Sequence, residues 1–294
     1  MRYSRTKAMA GAAVMALTLA ACGGGGGSGD TEATVEENPK FPQGSQMAKF
    51  AQAGKITIGV KYDQPGTGFL EPGSDTPSGF DVEMGEYVAG QMGIAPEDIT
   101  WKETVSDNRE PFLQNGTVDL VLATYSIDPE RRAIVGQAGP YYVTGQQLLV
   151  REEDKTKITG PDDLQGVKVC SVTGSTSLET VSKEYGANPV PFDTYSACVR
   201  QLEAGTVDAV TTDGAILLGY EAQNPEELQV VGPEFSEERY AIGYFPPDDT
   251  QMCEFLNDTI EQSYKDGYWK QAFEATLGES GVETPKPPQP DPCK

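Results

Sequence analysis

The chain carries one short sequence twice, and each copy leads to residues that could bind a charged ligand. The tetrapeptide GTVD occupies 116–119 and again 205–208. The first copy is followed by the basic residue Arg131 and the second by the acidic residue Asp213. A guanidinium binds a carboxylate through two parallel hydrogen bonds, and a carboxylate accepts hydrogen bonds from an ammonium group. The two copies therefore predict a site that holds both charges of a free α-amino acid.

The segment after the first copy, SIDPERR, places Arg131 at the start of a predicted helix. Asp128 is a good N-cap residue, and the proline after it is favoured at the first helical position. Thr124 and Ser126 alternate at the end of the preceding strand and bring two hydroxyl groups to the same place. A surface ion pair of Arg131 with Glu130 or a neighbouring acidic residue is the alternative interpretation.

The segment 174–179, GSTSLE, predicts another helix start that faces a ligand. Thr176 and Glu179 have the spacing of a capping box, so we expect Thr176 to cap the helix. The Ser175 hydroxyl and the free N–H groups of the helix start could then contact the ligand. Asp213 also has two interpretations, because it suits an ammonium group and the N-cap of the next helix equally well.

Alternating strands and helices must position these residues. Apolar side chains alternate in the strand-like segment 55–60, and a helical pattern follows from Asp81, which we expect to cap that helix. The order strand, helix, strand, helix, strand recurs over 167–213. This order predicts two doubly wound lobes built from parallel βαβ units, each binding at the carboxyl ends of its strands.

Two segments are expected to connect the lobes. The apolar segment 139–150 suits one strand that crosses to the second lobe, and 238–245 suits the return. The predicted boundaries are 1–21 for a signal peptide, 22–46 for a flexible tether, 47–147 for the first part of lobe 1, 148–239 for lobe 2, 240–279 for the return to lobe 1, and 280–294 for a proline-rich tail.

Composition excludes several classes of function. The chain has 294 residues, a formal net charge of −23 and no histidine. Such an acidic surface repels nucleic acid, so we expect no nucleic-acid partner. The missing histidine removes Ser-His-Asp catalysis and His-ligated zinc. We therefore predict no catalytic residue, no metal and no cofactor.

The N-terminal residues are typical of a targeting segment. Basic residues precede an apolar run, Ala8 to Ala21, that is too short to span a bilayer. The run ends in LAAC, which resembles a bacterial lipoprotein signal with Cys22 as the lipidated residue. An ordinary secretory signal with an incidental cysteine is the alternative.

Five cysteines are an odd number for an exported protein. Assigning Cys22 to lipid leaves Cys170, Cys198, Cys253 and Cys293, which allow three pairings. We predict the pairs Cys170–Cys198, on a strand and a helix after it, and Cys253–Cys293, on a late helix and the tail. Free buried thiols, the alternative, are uncommon outside the cytosol.

Several motifs together resemble family 3 extracellular solute-binding proteins, the amino-acid receptors of ABC importers. The motifs are YDQPGTGF, SGFDVEMGEYVAGQMG, LATYSIDPERR, GPYYVTGQQLLV, VTGSTS and DAVTTD. The resemblance extends over about 50–278 and is strongest to the glutamate-binding lipoproteins of actinobacteria. It implies the two-lobed α/β fold of periplasmic binding proteins, with doubly wound, mainly parallel sheets, helices on both faces and a two-strand hinge.

The resemblance also implies roles for the candidate residues at the backbone end of the ligand. Arg131 would hold the α-carboxylate with the help of Thr124 and Ser126. Asp213 would hold the α-ammonium group, and lobe 2 would add contacts from the 175–176 turn, at Ser175 and Thr176.

The far end of the ligand is assigned to other residues. Arg109 occupies the position where acidic-amino-acid binders of this family carry an arginine, and Lys61 is a second cation. Two cations favour glutamate or aspartate over glutamine, because an amide does not compensate buried positive charge. Tyr142 would form part of an apolar wall, together with Tyr62 and Phe69, although all three also suit a core.

The resemblance finally implies a mode of action. The expected protein is a monomer that is anchored outside the cytoplasm through Cys22, closes on its amino acid by hinge bending and delivers it to the transmembrane subunits of a permease. The alternatives are a receptor for glutamine or asparagine, an amino-acid sensor, and an enzyme on the same fold.

Overall fold

The computed structural model describes residues 33–293. The predicted signal peptide and the lipidation of Cys22 lie outside the described residues. The strands are β1 (Ile56–Val60), β2 (Asp63–Gln64), β3 (Gly68–Phe69), β4 (Ile99–Glu103), β5 (Leu120–Val121), β6 (Gly136–Thr144), β7 (Gln146–Arg151), β8 (Lys168–Val172), β9 (Asn188–Phe192), β10 (Ala209–Asp213), β11 (Leu228–Val231) and β12 (Glu238–Tyr244). The α-helices are α1 (Gln46–Ala53), α2 (Phe80–Gln91), α3 (Arg109–Gln114), α4 (Pro129–Arg132), α5 (Thr176–Glu184), α6 (Tyr195–Glu203), α7 (Gly214–Gln223), α8 (Thr250–Asp266) and α9 (Tyr268–Ala275).

Two five-stranded sheets form the centres of two lobes. The order is β4-β1-β5-β12-β6 in lobe 1 and β9-β8-β10-β7-β11 in lobe 2. In each sheet the first three strands are parallel, and the fourth is antiparallel to both of its neighbours. The predicted two-lobed α/β fold is confirmed, but each sheet is mixed, with two parallel and two antiparallel strand pairs. The antiparallel strand of each sheet, β12 in lobe 1 and β7 in lobe 2, is the one that enters it directly from the other lobe.

The crossing from lobe 1 to lobe 2 is made by two strands where the sequence predicted one. The strand β6 belongs to the first sheet, β7 belongs to the second, and Gly145 separates them. A Cβ atom at Gly145 would lie 2.5 Å from the Ser236 carbonyl oxygen, so only glycine fits between the two crossing segments. The chain returns through β12, as expected.

The GTVD repeat has a structural role in both lobes. The carboxylate of Asp119 accepts a hydrogen bond from the Thr57 backbone N–H at 2.8 Å, beside β5 and β1. Its counterpart Asp208 accepts from the Lys168 N–H at 3.1 Å, beside β10 and β8. Each aspartate thus joins the start of a central strand to its parallel neighbour, which explains why the tetrapeptide recurs.

The last two helices belong to lobe 1, and each lobe contains one disulfide. Helix α8 packs on lobe 1 through Leu256 and Ile260, and α9 packs on it through Trp269 and Phe273. Both predicted disulfides are present, Cys170–Cys198 in lobe 2 and Cys253–Cys293 between α8 and the tail. They close loops of 28 and 40 residues. In the chain-entropy treatment each contributes about 3–4 kcal/mol to the free energy of unfolding.

The segment before α1 differs from the prediction in its described part, 33–45. We expected a flexible tether, but Phe41 packs edge-on against Phe255 at 5.4 Å, and the Glu36 N–H donates to the Gly90 carbonyl at 2.9 Å. These residues form part of lobe 1 because they cover apolar side chains of α8. No helix within the described residues is long and apolar enough to cross a membrane.

Candidate functional site

A small polar cavity lies between the two lobes, at the carboxyl ends of the parallel strands. The space in it that the centre of a water molecule can reach is about 10 Å³, so the lining side chains nearly fill it. The lining residues are Ser106, Arg109, Thr124, Ser126, Arg131, Ser175, Thr176, Ser177, Tyr195, Thr212, Asp213 and Ile216. Seven of the nine predicted ligand-binding residues are therefore brought together, and two, Lys61 and Tyr142, are not.

Arg131 enters the cavity from the first turn of α4. Asp128 caps this helix by accepting from the Arg131 backbone N–H at 3.1 Å, as the sequence predicts. The guanidinium donates through Nη1 to the Ser126 carbonyl at 2.9 Å and through Nη2 to the Gly174 carbonyl of lobe 2 at 2.9 Å. Its Nε lies 3.3 Å from Glu110 Oε1, so the ion pair is with Glu110. Each terminal nitrogen carries a second N–H, and these two donors can bind a carboxylate.

Arg109, the first residue of α3, is the second cation of the cavity and is 2% exposed. Its Nε donates to the Ser106 carbonyl at 3.1 Å, its Nη1 to that of Thr124 at 3.1 Å, and its Nη2 to that of Gly174 at 3.0 Å. It forms no ion pair with any residue in 33–293. Burial, with a smaller contribution from Arg131, lowers the pKa of Arg109 to about 10.

Tyr125 holds the two arginines in place. The Arg109 and Arg131 guanidinium carbons lie 4.6 and 5.2 Å from the centre of its ring, within the range of cation–π attraction. Its hydroxyl donates to Glu110 at 2.7 Å. The ring and Glu110 therefore stabilise two like charges that would otherwise repel each other.

Thr124 has a strained backbone that Asp81 stabilises. Its φ is +46°, a left-handed conformation that is uncommon for a threonine. The fully buried Asp81 carboxylate accepts from the Thr124 N–H at 2.7 Å and from the Tyr141 hydroxyl at 2.6 Å. Gly79 precedes α2 as its N-cap, so the expectation that Asp81 caps this helix is wrong. The Asp81 carboxylate instead fixes the backbone of Thr124 beside the cavity. Burial raises the pKa of Asp81 to about 6.

In the turn of lobe 2, Ser175 has the capping role that the sequence assigned to Thr176. Ser175, and not Thr176, is the N-cap of α5, accepting from the Leu178 N–H at 3.0 Å. The Thr176 hydroxyl donates instead to Glu238 at 3.0 Å, at the start of the returning strand. The capping-box prediction for Thr176 is therefore wrong by one residue, while both side chains line the cavity.

Asp213 faces the cavity from the end of β10. It occupies the N-cap position of α7, but its side chain makes no capping hydrogen bond to that helix. Its Oδ2 accepts from the Tyr240 hydroxyl at 2.6 Å. Burial, followed by repulsion from Glu238, raises the pKa of Asp213 to about 8. An ammonium group bound here would restore the ionised form, because an adjacent opposite charge favours it.

Lys61 and Tyr142 lie behind the cavity wall, contrary to expectation. The Lys61 Nζ donates to the Ser106 hydroxyl at 2.8 Å, and it is Ser106 that lines the cavity. Burial, then repulsion from Arg109, lowers the pKa of Lys61 to about 7. Tyr142 belongs to the core of lobe 1, where its ring packs edge-on against Tyr240 at 5.5 Å.

The sequence prediction missed five lining residues: Ser106, Ser177, Tyr195, Thr212 and Ile216. The rule that ligands bind at the carboxyl ends of parallel strands could have found three of them. Ser106 follows β4, Tyr195 follows β9, and Thr212 lies near the end of β10.

The cavity brings opposite charges from the two lobes together. It presents two guanidiniums from lobe 1 and one carboxyl group from lobe 2, with hydroxyls between them. The described residues contain no group of three His, Cys, Asp or Glu side chains that could hold a metal ion. The two arginines and Asp213 match a ligand that has two carboxylates and one ammonium group.

Comparisons with known proteins agree with this fold. Residues 56–279 match the family model of bacterial extracellular solute-binding proteins, family 3. The chain is 40% identical over 288 residues to the glutamate-binding protein GluB of Corynebacterium efficiens, covering 94% of this chain and 92% of the relative. It is 31% identical over 269 residues to the ABC transporter glutamine-binding protein GlnH of Bacillus subtilis, covering 91% and 94%.

Solved structures have the same fold. An ancestral arginine-binding protein bound to glutamine superposes with a TM-score of 0.70 at 32% identity, covering 76% of this chain and 98% of that one. A solute receptor for L-cysteine of Neisseria gonorrhoeae gives a TM-score of 0.75 at 25% identity, covering 81% and 97%. The chain therefore belongs to the bacterial extracellular solute-binding proteins of family 3.

Proposed function

We propose that this protein is the glutamate-binding receptor of an amino-acid ABC importer. The observation that carries the proposal is Arg109, a buried guanidinium in the cavity without an ion pair among residues 33–293. A buried charge without an oppositely charged partner is costly even when carbonyl groups accept its hydrogen bonds, and a ligand carboxylate lowers that cost. The similarity to a protein named as glutamate-binding, over 94% of this chain, supports the same ligand.

Each charge of glutamate has a partner in this proposal. Arg131 binds the α-carboxylate through its two remaining terminal N–H groups, with the Thr124 and Ser126 hydroxyls beside it. Asp213 binds the α-ammonium group from lobe 2. Arg109 binds the side-chain carboxylate, and Lys61 supports Ser106 from behind.

Glutamine is the main competing ligand, because relatives named as glutamine-binding are also similar to this chain. Its neutral amide would leave the charge of Arg109 without compensation. Aspartate retains the carboxylate, but its side chain is shorter by one methylene group. The proposed order of affinity is therefore glutamate, then aspartate, then glutamine and asparagine.

The proposed mechanism is closure of the lobes on the amino acid without chemical turnover. Arg109 and Arg131 of lobe 1 both donate to the Gly174 carbonyl of lobe 2. Their guanidinium groups therefore lie close to both lobes in the closed form. The closed receptor would be a monomer outside the cytoplasm. It would bind there to the transmembrane subunits of a permease. Lipidation of Cys22 would hold it at the membrane.

Calorimetry on the folded body, residues 33–294, tests the ligand assignment. Glutamate, aspartate, glutamine and asparagine are titrated into the parent protein and into Arg131→Ala, Arg109→Gln and Arg200→Gln. Arg200 is an exposed residue of α6 and serves as the control for loss of one positive charge. We expect Arg131→Ala to bind none of the four and Arg109→Gln to lose glutamate selectively. Tight glutamine binding by the parent without glutamate binding would refute the proposal.

A further inference from the structure

The end of the proline-rich tail is tied to the two segments that carry the ligand site. The Asp291 Oδ2 lies 2.9 Å from Arg132 Nη2, and its Oδ1 lies 2.6 Å from Arg239 Nη2. These two arginines hold the pKa of Asp291 below its usual value, despite the opposing effect of burial. The tail was predicted to be a plain surface segment, and these ion pairs give it a specific attachment.

Each arginine is the chain neighbour of a residue that acts in the cavity. Arg132 follows Arg131 in the short helix α4. Arg239 precedes Tyr240, whose hydroxyl donates to Asp213 at 2.6 Å. The Arg239 carbonyl also accepts from the Ile127 N–H at 2.7 Å, on the segment that leads into α4. The Asp291 carboxylate therefore holds the residue after Arg131 and the residue before Tyr240, the hydrogen-bond partner of Asp213.

The backbone of Asp291 is also held by hydrogen bonds to lobe 1. The Asp291 N–H donates to the Gly139 carbonyl at 2.7 Å, and the Asn257 amide donates to the Asp291 carbonyl at 2.8 Å. The Cys253–Cys293 disulfide then attaches the tail covalently to α8, two residues beyond Asp291. Three attachments therefore fix this short segment to lobe 1.

We propose that Asp291 is a positioning residue for the amino-acid site, held in place by the Cys253–Cys293 disulfide. It acts through Arg132 and Arg239, which fix α4 and the start of β12, and it does not touch the ligand. The proposal rests on the assignment of this cavity as an amino-acid site. Release of the tail by loss of the disulfide weakens binding even though no ligand contact is removed.

Calorimetric titration of L-glutamate into the folded body tests the proposal. Both ion pairs are partly exposed and each contributes modestly. We therefore expect Asp291→Asn to raise the dissociation constant about fivefold, equivalent to about 1 kcal/mol. Arg132→Gln removes one of the two ion pairs and should have a smaller effect, and the double variant should bind no more weakly than Asp291→Asn. The pair Cys253→Ser/Cys293→Ser should reproduce the defect while leaving Cys170–Cys198 intact.

Glu283→Gln is the matched control, because Glu283 is an exposed acid of the same tail without an ion pair in the described chain. A lower melting temperature for Asp291→Asn with the parent affinity would mean that the tail only stabilises the fold, and would overturn the proposal. Hydrogen exchange of the amides in 126–132, measured without ligand, gives a second readout. Faster exchange in Asp291→Asn would support the positioning role of Asp291 even if glutamate is not the ligand. Unchanged exchange in this variant would overturn that role.

Discussion

Replacing Gly174 with alanine should separate lobe closure from folding. Gly174 lies in the turn before α5 with φ +77°, and its carbonyl accepts from both cavity arginines of lobe 1. A Cβ atom there would lie 2.8 Å from the backbone N and Cα of Asp107, across the cleft. Backbone atoms cannot move aside as a flexible side chain can. The clash therefore exists only when the lobes are closed.

The size of the effect can be worked out from these contacts. The left-handed backbone costs alanine about 1–2 kcal/mol in open and closed states alike, so it lowers stability without changing affinity. The clash adds an overpacking cost of about 1–3 kcal/mol in the closed state alone. This corresponds to glutamate binding that is weaker by about 5- to 150-fold.

Gly166→Ala is a close control for this experiment. Gly166 is also in lobe 2, with φ +76°, and a Cβ atom there would meet nothing within 4 Å. Both variants should lose similar amounts of unfolding free energy in urea. Only Gly174→Ala should lose affinity by calorimetry and keep an open-like radius of gyration in X-ray scattering when ligand is added. Equal affinities and equal compaction of the two variants would refute the clash argument.

Two further predictions concern the acidic residues of the site. The raised pKa of Asp213, about 8, means that the empty site holds a proton that an ammonium ligand must displace. Binding should therefore release up to about one proton per ligand below pH 8 and weaken as the pH falls, measured by calorimetry in buffers of different ionisation enthalpy. Asp213→Asn should abolish this proton release. Asp81→Ala should leave the buried Thr124 N–H without an acceptor and lower the unfolding free energy by about 2–4 kcal/mol in urea denaturation, whereas Asp81→Asn keeps an acceptor oxygen and should lose less.

The parts of the fold that were predictable depend on local patterns. Strand and helix periodicity predicted the alternating elements of both lobes, and Asp128 with its proline predicted the start of α4 and so the direction of Arg131. The predicted helix start near Ser175 was displaced by one residue, because serine and threonine are both common N-cap residues. Only the hydrogen bond to Leu178 decides between them.

The parts that were not predictable depend on partners far along the chain. Asp81 looks like a helix cap in sequence, but its hydrogen-bond donor is the N–H of Thr124, which is 43 residues away. The sequence could not show whether Tyr142 lies in the core or in a cavity wall, because β6 is buried on both faces and Tyr141 and Tyr142 point to opposite faces. Lys61 directly follows β1, whose carboxyl end faces the cleft. The Ser106 hydroxyl nevertheless lies between the Lys61 ammonium group and the cavity.

The GTVD repeat explains the architecture of the site but not its charges. Asp119 and Asp208 have the same role in the two lobes, each joining a central strand to its neighbour. The charges come from the residues that lie after each copy. In lobe 2 the strand itself ends in Asp213, whereas in lobe 1 the chain continues through Thr124 to a separate helix that carries Arg131. A duplicated scaffold with different continuations brings opposite charges to facing positions, which is the arrangement that a zwitterionic ligand requires.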